Sequence, residues 1–392
     1  MVNWNSASTL SPLFAAIASD DLASVKDQVE NYGADLNMPT SNGEREYTPI
    51  AWAASSKVTS SDYHVRAQII DYLFLQGSNI AVGGPLVECR DFECAELMLK
   101  YGAVADQSVV TASGDAPTAL VGCCEDLLVD IVELLLKYGA IADVKLPSGI
   151  SLLYSVCLAS LYSNQRKALE IVKLLQKSGA DLEATDSAGA TILSHVVSLY
   201  SSDRKGSPNG TATNLVGLLL NLGADVGHRD PDASTVLIQA VRNPAARLGG
   251  FEMIDLIFAY GGDSYVDVFD RDGLTPLHYL VHFDSETYDR FGDTAGLIEL
   301  FFSRGASVDV RDNSGRTAFF RLVGYLCPAP GSITLYPPPR PGTPGRYAAL
   351  NILRQLKAHR ADAKLADHRG RTPLTVAKAA GKMGQDVQGY CY

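Results

Sequence analysis

The sequence lacks the features that most often assign a function directly. It has no Gly-x-x-x-x-Gly-Lys loop and no Gly-x-Gly-x-x-Gly after a predicted strand, so nothing indicates nucleotide binding. No apolar stretch reaches the ~18 residues of a membrane span, and Met1-Val2-Asn3-Trp4 is not the charged start of a signal peptide. We therefore predict no membrane contact and a location inside the cell, in the cytoplasm or the nucleus.

Positive charge is also scarce. The chain has 33 Lys and Arg against 44 Asp and Glu, a formal net charge of −11, and no run of basic residues. Because such a chain repels a phosphate backbone, we expect no nucleic-acid partner. A basic protein or peptide is compatible with this charge.

Cysteine is sparse and shows no metal-ligand pattern. The seven cysteines are odd in number, and none forms a Cys-x-x-Cys pair or has a histidine at ligand spacing. Cys123 and Cys124 also lack the nearby histidine and glycine-rich turn of a nucleophile. We therefore predict reduced thiols that pack in the core, with no metal and no cofactor. The seven are Cys89, Cys94, Cys123, Cys124, Cys157, Cys327 and Cys391.

What the sequence does have is an internal repeat. An apolar helical run is followed by Gly, a small residue and often Asp, as in Gly33-Ala34-Asp35. Glycine ends a helix readily because it adopts a left-handed conformation without a Cβ clash. We therefore predict that a helix pair ends near each copy. The helix-ending glycines are Gly33, Gly77, Gly102, Gly139, Gly179, Gly223, Gly261 and Gly305, and Arg360 takes the same place in the last copy.

A second pattern follows the glycine. A turn of the form Asp-x-x-Gly leads to a Thr that begins the next helix, as in Asp270-Arg271-Asp272-Gly273 before Thr275. That helix starts Thr275-Pro276-Leu277-His278, in which Thr caps the helix, Pro needs no N–H partner, and Leu enters the core. Partial copies begin at Ser11, Thr48, Thr191, Thr235, Thr317 and Thr372.

This Thr-Pro-Leu-His start, together with the recurrent glycines, resembles the ankyrin repeat. The resemblance covers nearly the whole chain and implies an all-α solenoid of about nine helix pairs, in a single domain over residues 1–392. It also implies capping repeats at about 9–35 and 367–392 and a concave side lined by the first helix of each pair. His278 would then be structural, with its ring hydrogen-bonded to the adjoining turn. We expect a monomer.

The sequence departs from the ~33-residue ankyrin unit in two ways. From Gly77 to Gly102 the interval is only 25 residues, which predicts a compressed repeat around Gly84-Pro85-Leu86. Most other repeats are longer, with insertions between paired helices that should crowd one edge of the solenoid. The insertions are 57–64, 201–211, 243–250, 284–295 and the Pro-rich segment 327–346.

Candidate binding residues emerge when the repeats are aligned on their Thr. In the fold that the resemblance implies, the fourth residue after Thr, and those three or four further on, face the groove. These positions carry varied polar and aromatic side chains, and Trp, Tyr and Arg supply most binding hot spots. The candidates, called groove residues below, are Trp52, His195, Gln239, Arg242, Tyr279, His282, Arg321 and Tyr325.

Three functions are compatible with this pattern. We favour a scaffold that holds a protein or peptide in the groove. The first alternative is an enzyme whose pocket the insertions enclose, which would take a small molecule. The second is an inhibitor that masks the basic surface of another protein. The acid–base and anion-binding groups of the enzyme would be His195, Arg242, Tyr279, His282 and Arg321.

Overall fold

The structure is a computed structural model that describes residues 11–41, 46–55, 63–108, 117–199, 209–243, 251–281, 291–328, 340 and 342–392. The chain divides into two compact units, residues 1–181 and 182–392. Each unit is built of paired helices, so the predicted all-α repeat fold is confirmed. A single domain over 1–392 stays a prediction. The insertions and the Pro-rich segment lie wholly or largely outside the described residues, and so does His282.

The N-terminal unit contains nine described helices and one small hairpin. The two strands, β1 and β2, pair antiparallel with Thr40 opposite Tyr47. The helices are α1 (Pro12–Ala18), α2 (Leu22–Glu30), α3 (Pro49–Ala54), α4 (Tyr63–Leu75), α5 (Phe92–Lys100), α6 (Ala119–Glu125), α7 (Val129–Lys137), α8 (Leu152–Ser160) and α9 (Gln165–Lys177), and the strands are β1 (Thr40–Ser41) and β2 (Glu46–Tyr47).

The C-terminal unit has ten described helices and two 3₁₀ turns, Gly262–Tyr265 and Gly381–Gly384. Its helices are α10 (Ile192–Leu199), α11 (Asn209–Asn221), α12 (Val236–Arg242), α13 (Phe251–Ala259), α14 (Pro276–Leu280), α15 (Phe291–Ser303), α16 (Ala318–Leu326), α17 (Pro344–Ala358), α18 (Pro373–Ala379) and α19 (Gln385–Gln388).

Within each unit the helices form two layers. In the C-terminal unit the first helices pack side by side in the order α10, α12, α14, α16 and α18, while α11 packs on α13 and α15 on α17. In the N-terminal unit α2, α4, α5, α7 and α9 form the corresponding second layer. Apolar residues fill the space between the layers, with Leu237, Leu280 and Leu322 fully buried. The first helices thus share one face in each unit.

The repeat-ending glycines behave as the sequence predicts. All eight have positive φ, and each helix before them ends two or three residues earlier. At Gly179, φ is +95°, and the next N–H, of Ala180, donates to the Leu175 carbonyl at 3.0 Å. This hydrogen bond satisfies a carbonyl at the helix end that would otherwise lack a partner.

The threonines cap the first helices as expected. The Thr317 hydroxyl accepts from the Phe320 N–H at 3.2 Å, and Thr48 and Thr235 make the same bond within their own helices. Thr118, which is not among the predicted helix starts, makes it too, whereas the Ser11 side chain makes no cap bond. The short interval before Gly102 also has the expected result. A turn replaces the first helix of that repeat, and its residues Leu86 and Val87 are buried in the core.

A hydrogen bond that the sequence analysis missed joins successive repeats. The side chain four residues after the helix-ending glycine accepts the backbone N–H that lies two residues after the glycine of the next repeat. Asp106 thus accepts from Ile141 at 2.7 Å, and Glu183 accepts from Asp225 at 2.9 Å. Asn37 with Asn79 has the same spacing, and so has Asp309 with Asp362, where Arg360 takes the place of the glycine. Asp267 accepts from Ser307 in the same way, although it lies six residues after Gly261. One such bond at each of these junctions fixes the register of neighbouring repeats.

The cysteines take the core positions predicted for them. All seven are free thiols and buried, and burial raises the pKa of Cys123 to about 11. Their sulfur atoms therefore act as packing groups. None of the described helices is both long enough and apolar enough to span a membrane.

Candidate functional site

An aspartate organises the turn before each first helix of the C-terminal unit. In the turn at 270–274, Oδ1 of Asp270 accepts the N–H groups of Asp272 and Leu274, both at 2.9 Å. The same two bonds, to the second and fourth residues onward, recur in each of the five described turns that precede a first helix in this unit. The five residues, called the turn aspartates below, are Asp186, Asp230, Asp270, Asp312 and Asp367.

The second carboxylate oxygen of four turn aspartates meets a groove residue nine positions onward. Gln239 Nε2 donates to Asp230 Oδ2 at 2.8 Å, and Arg321 Nη1 donates to Asp312 Oδ2 at 2.9 Å. His195 Nδ1 lies 3.3 Å from Asp186 Oδ2, and the Tyr279 hydroxyl donates to Asp270 Oδ2. Four different side chains thus satisfy one requirement, a donor to the turn carboxylate.

This pairing explains much of the variety that the sequence analysis attributed to binding. The donors differ in chemistry, but the geometry around each aspartate is the same. The signal was present in the sequence as the constant spacing of nine residues between the turn Asp and the fourth residue after Thr. The primary role of these four groove residues is therefore structural, since they support the turn aspartates.

Tyr279 and Arg242 are brought together by their neighbouring helices. The Arg242 guanidinium lies over the Tyr279 ring, 5.4 Å from its centroid, and Arg242 Nη1 is 3.4 Å from Ser234 Oγ. Burial, followed by the hydrogen bond and charge of Asp270, raises the pKa of the Tyr279 phenol well above its usual range. At neutral pH the phenol therefore stays protonated as a donor to Asp270.

Trp52 lies in the core of the N-terminal unit rather than on an open face. Its side chain is 4% exposed. Its rings meet Phe14 edge to face at 5.8 Å and Tyr47 at 5.3 Å, since α1 and β2 cover it from two sides. The alignment that placed Trp52 in the groove did not account for the cover that these elements provide.

His278 has the structural role that the resemblance implied. It is buried, its Nδ1 accepts the Thr275 N–H at 3.2 Å, and its Nε2 lies 3.1 Å from the Arg316 carbonyl in the next turn. Burial lowers the pKa of His278 to about 4. A neutral ring in this position joins one repeat to the next.

Arg321 and Tyr325 lie together in a pocket on the first-helix face of the C-terminal unit. The pocket has a volume of about 460 Å³ and is open to solvent on one side. It lies between the end of α14, the length of α16, and α18 with the turn before it. Its lining residues, which define the arginine pocket, are Val281, Arg316, Phe320, Arg321, Gly324, Tyr325, Cys327, Arg371, Thr375, Val376 and Ala379.

Two arginines of this pocket were missed by the sequence analysis. Arg316 and Arg371 each follow the glycine of an Asp-x-x-Gly turn, four residues after a turn aspartate. Arg316 Nε donates to Asp312 at 3.1 Å, and Arg371 donates to Asp367 through Nε at 2.9 Å and Nη2 at 2.7 Å. The sequence does distinguish them: the fourth residue after the turn aspartate is arginine in these two repeats, whereas the preceding repeats have Ala190, Ser234 and Leu274 there.

The carboxylates beside the arginine pocket are held in the ionised form. Burial alone favours the neutral acid at Asp312, but the N–H groups of Arg316 and Ser314 and the guanidinium groups of Arg316 and Arg321 outweigh it. The pKa of Asp312 is therefore below its usual range. Asp367 has a lowered pKa for the same reasons, with Arg371 as its main partner.

The repeat geometry agrees with a sequence match to proteins whose names include the ankyrin repeat. Two curated Variola virus proteins called ankyrin repeat protein OPG189, one of them from isolate Human/India/Ind3/1967, are 27% identical to the chain over 147 residues. The chain has an ankyrin-like repeat fold and is similar to proteins named for it. The match spans 38% of this chain and 23% of the viral relatives, so it covers less than a quarter of their length. No protein-family model matches the chain.

Two solved ankyrin-repeat structures have partial similarity to the chain. The ankyrin repeat domain of Bcl-3, described as a member of the IkappaB protein family, has 20% sequence identity and a TM-score of 0.47, covering 67% of this chain and 96% of that domain. The ankyrin repeat protein EF0377 has 18% identity and a TM-score of 0.39, covering 51% of this chain and 87% of its own.

Proposed function

We propose that this ankyrin-like repeat protein is a non-enzymatic scaffold whose arginine pocket holds a segment of a partner protein. The observation that carries the proposal is the pocket itself, which opens on the first-helix face and brings Arg321 and Tyr325 together. Ankyrin folds generally mediate interactions between proteins.

The composition of the pocket supports a binding role. Phe320, Val376 and Ala379 provide an apolar surface, and Tyr325 and the arginines stand beside it. Tyr and Arg are enriched among the side chains that dominate binding energy. The volume of about 460 Å³ is within the range of ~300–1,000 Å³ typical of ligand pockets. Because one side is open, an extended chain has room to enter and leave.

The turn contacts favour binding over catalysis. His195 and Arg321 are each hydrogen-bonded to a turn aspartate, and the raised pKa of Tyr279 keeps its phenol protonated at neutral pH. An acid–base catalyst needs a pKa near the working pH and access to substrate. Three of the five groups named for the enzyme alternative, His195, Tyr279 and Arg321, are thus already hydrogen-bonded to turn aspartates.

The free cysteines indicate the compartment in which the scaffold acts. Seven free cysteines favour a reducing compartment, the cytoplasm or the nucleus. A partner in that compartment would meet the protein with its thiols reduced and its repeats packed.

Gly324 offers a direct test of the pocket. It lines the pocket from within α16, and a Cβ built on it meets no atom within 4 Å. Gly324→Phe should therefore fill the pocket while leaving the helix intact. Gly324→Ala is the matched control, since it adds only a methyl group and stabilises a helix interior by about 0.5–1 kcal/mol.

The experiment is a selection from a random peptide library displayed on phage, with the full-length protein as bait. Peptides selected on the native protein should lose at least about tenfold in affinity for Gly324→Phe and keep their affinity for Gly324→Ala. Thermal unfolding of both variants checks that each is folded. If the selected peptides bind Gly324→Phe as well as the native protein, or no peptide depends on the pocket, the proposal is wrong.

A further inference from the structure

The local charge of the arginine pocket is opposite to that of the chain. The protein carries −11 overall. Three guanidinium groups, from Arg316, Arg321 and Arg371, line the pocket, and two carboxylates, Asp312 and Asp367, contact them. One net positive charge is left beside the opening.

The two carboxylates have little capacity left to accept further hydrogen bonds. Each uses Oδ1 for two backbone N–H groups and Oδ2 for two guanidinium nitrogens. The arginines, by contrast, keep donors in reserve, because a guanidinium has five N–H groups. Among the described residues, the side chains of Arg316 and Arg321 make one hydrogen bond each, both to Asp312.

The turn itself does not require arginine at these places. In the preceding repeats the position of Arg316 and Arg371 is Ala190, Ser234 or Leu274, and each supplies the same backbone N–H to its aspartate. The position of Arg321 is Gln239 in one of those repeats, where an uncharged amide makes the aspartate contact at 2.8 Å. Among the five turn aspartates, an arginine therefore stands four residues onward only in the two turns that flank the pocket.

We infer that the arginine pocket recognises a carboxylate, the side chain of an Asp or Glu next to an apolar residue in an extended segment of the partner protein. This inference rests on the proposed function. Guanidinium groups bind carboxylates through paired N–H donors, and the wall formed by Phe320, Val376 and Ala379 receives the apolar neighbour. A single net positive charge matches a monoanionic carboxylate better than a dianionic phosphate.

The matched variant for the test is Arg321→Gln. Glutamine at this position keeps the hydrogen bond to the turn aspartate, as Gln239 does, and removes the positive charge. Arg369→Gln is the control, since it removes one charge from the same turn as Arg371 but outside the pocket lining. Both proteins should unfold at the same temperature as the native protein.

The probes are the library peptides whose affinity Gly324→Phe lowers by at least about tenfold. These peptides should share an Asp or Glu, and replacing it by Asn or Gln should weaken binding to the native protein about tenfold. The Arg321→Gln protein should bind the unmodified peptide more weakly by a similar factor. Replacing the acidic residue of the peptide should then cause no further loss of affinity for this variant. Arg369→Gln should bind as the native protein does.

The outcomes separate this inference from the proposed function. One outcome is that Gly324→Phe lowers the affinity of the peptides while neither loss of their acidic residue nor Arg321→Gln changes it. In that case the pocket binds partners and the carboxylate inference is wrong. If phosphoserine in place of the acid tightens binding, the site is specific for a dianion and the inference is also wrong. If Gly324→Phe leaves the affinity of all the peptides unchanged, the proposed function is wrong instead.

Discussion

Arg346 and Asp386 are joined by two hydrogen bonds, Nε to Oδ2 at 3.0 Å and Nη2 to Oδ1 at 2.7 Å. Arg346 stands in the first turn of α17 with its side chain 1% exposed, while Asp386 lies in α19 near the C-terminus. Arg346 Nη1 also donates to the Leu326 carbonyl at the end of α16, at 2.7 Å. One buried cation thus joins the last helix to the two helices of the preceding pair.

We expect Asp386→Ala to lower the free energy of unfolding by about 2 kcal/mol, because it leaves a buried guanidinium without its anion. The effect is below the ~3–5 kcal/mol of a fully buried pair because the Asp386 side chain is 35% exposed. Urea unfolding measures it. Glu299→Ala, which breaks an exposed contact with His359, is the control and should cost less than about 0.5 kcal/mol. Equal effects for the two variants would contradict the role of Arg346.

Gly179→Val should lower the free energy of unfolding by on the order of 1 kcal/mol or more, because a β-branched residue is strained at a φ of +95°. Ser178→Val is the neighbouring control, since Ser178 has a φ of −91° that valine adopts. Calorimetric melting of both proteins measures the difference. Identical melting temperatures would mean that the left-handed glycine is not needed at this helix end.

Tyr279→Phe tests whether the groove residues support the turns. Removal of the hydroxyl leaves Oδ2 of the buried Asp270 without its donor, so we expect a loss of about 1–2 kcal/mol in the free energy of unfolding. The exposed Tyr347→Phe should change it by less than about 0.5 kcal/mol. If Tyr279 serves only a partner, its variant will unfold as the native protein does.

The lowered pKa of His278 makes stability depend on pH. Because this pKa is about 4 in the folded protein and ~6.5 in an unfolded chain, the unfolded state binds more protons between these values. Stability should therefore fall as the pH decreases from about 6.5 to about 4, by about 2 kcal/mol between pH 7 and pH 5. Urea unfolding of the native protein and of His278→Asn measures this, and the variant should depend less on pH. Parallel pH profiles would exclude His278 as the cause.

The repeat architecture was readable from the sequence because local chemistry fixes it. Eight glycines, the capping threonines and the compressed repeat before Gly102 each act through a backbone requirement within a few residues. Arg360 was also placed correctly at the end of its helix, with a φ of +67°. Periodicity and turn residues suffice wherever the cause lies this close along the chain.

The site was less predictable because its contacts depend on neighbouring elements. Trp52 fits the aligned pattern, but Phe14 and Tyr47 cover it from elsewhere in the unit. Arg316 and Arg371 sit in turns that the alignment treated as connections, so they were not considered as pocket residues. Only the stacking of α14, α16 and α18 reveals which positions share a pocket.

The bond between Asp106 and Ile141, repeated at Glu183 with Asp225, lets one repeat accept from its successor. The repeat that begins at Gly305 has both connectors, since its Ser307 N–H donates to Asp267 and its Asp309 accepts the Asp362 N–H. A segment cut from Gly305 to Arg360 therefore carries one acceptor and one donor of the same kind. Duplication or loss of this segment in the gene would leave an aspartate opposite a backbone N–H at the new junction, whereas a cut between Ser307 and Asp309 would separate the two connectors.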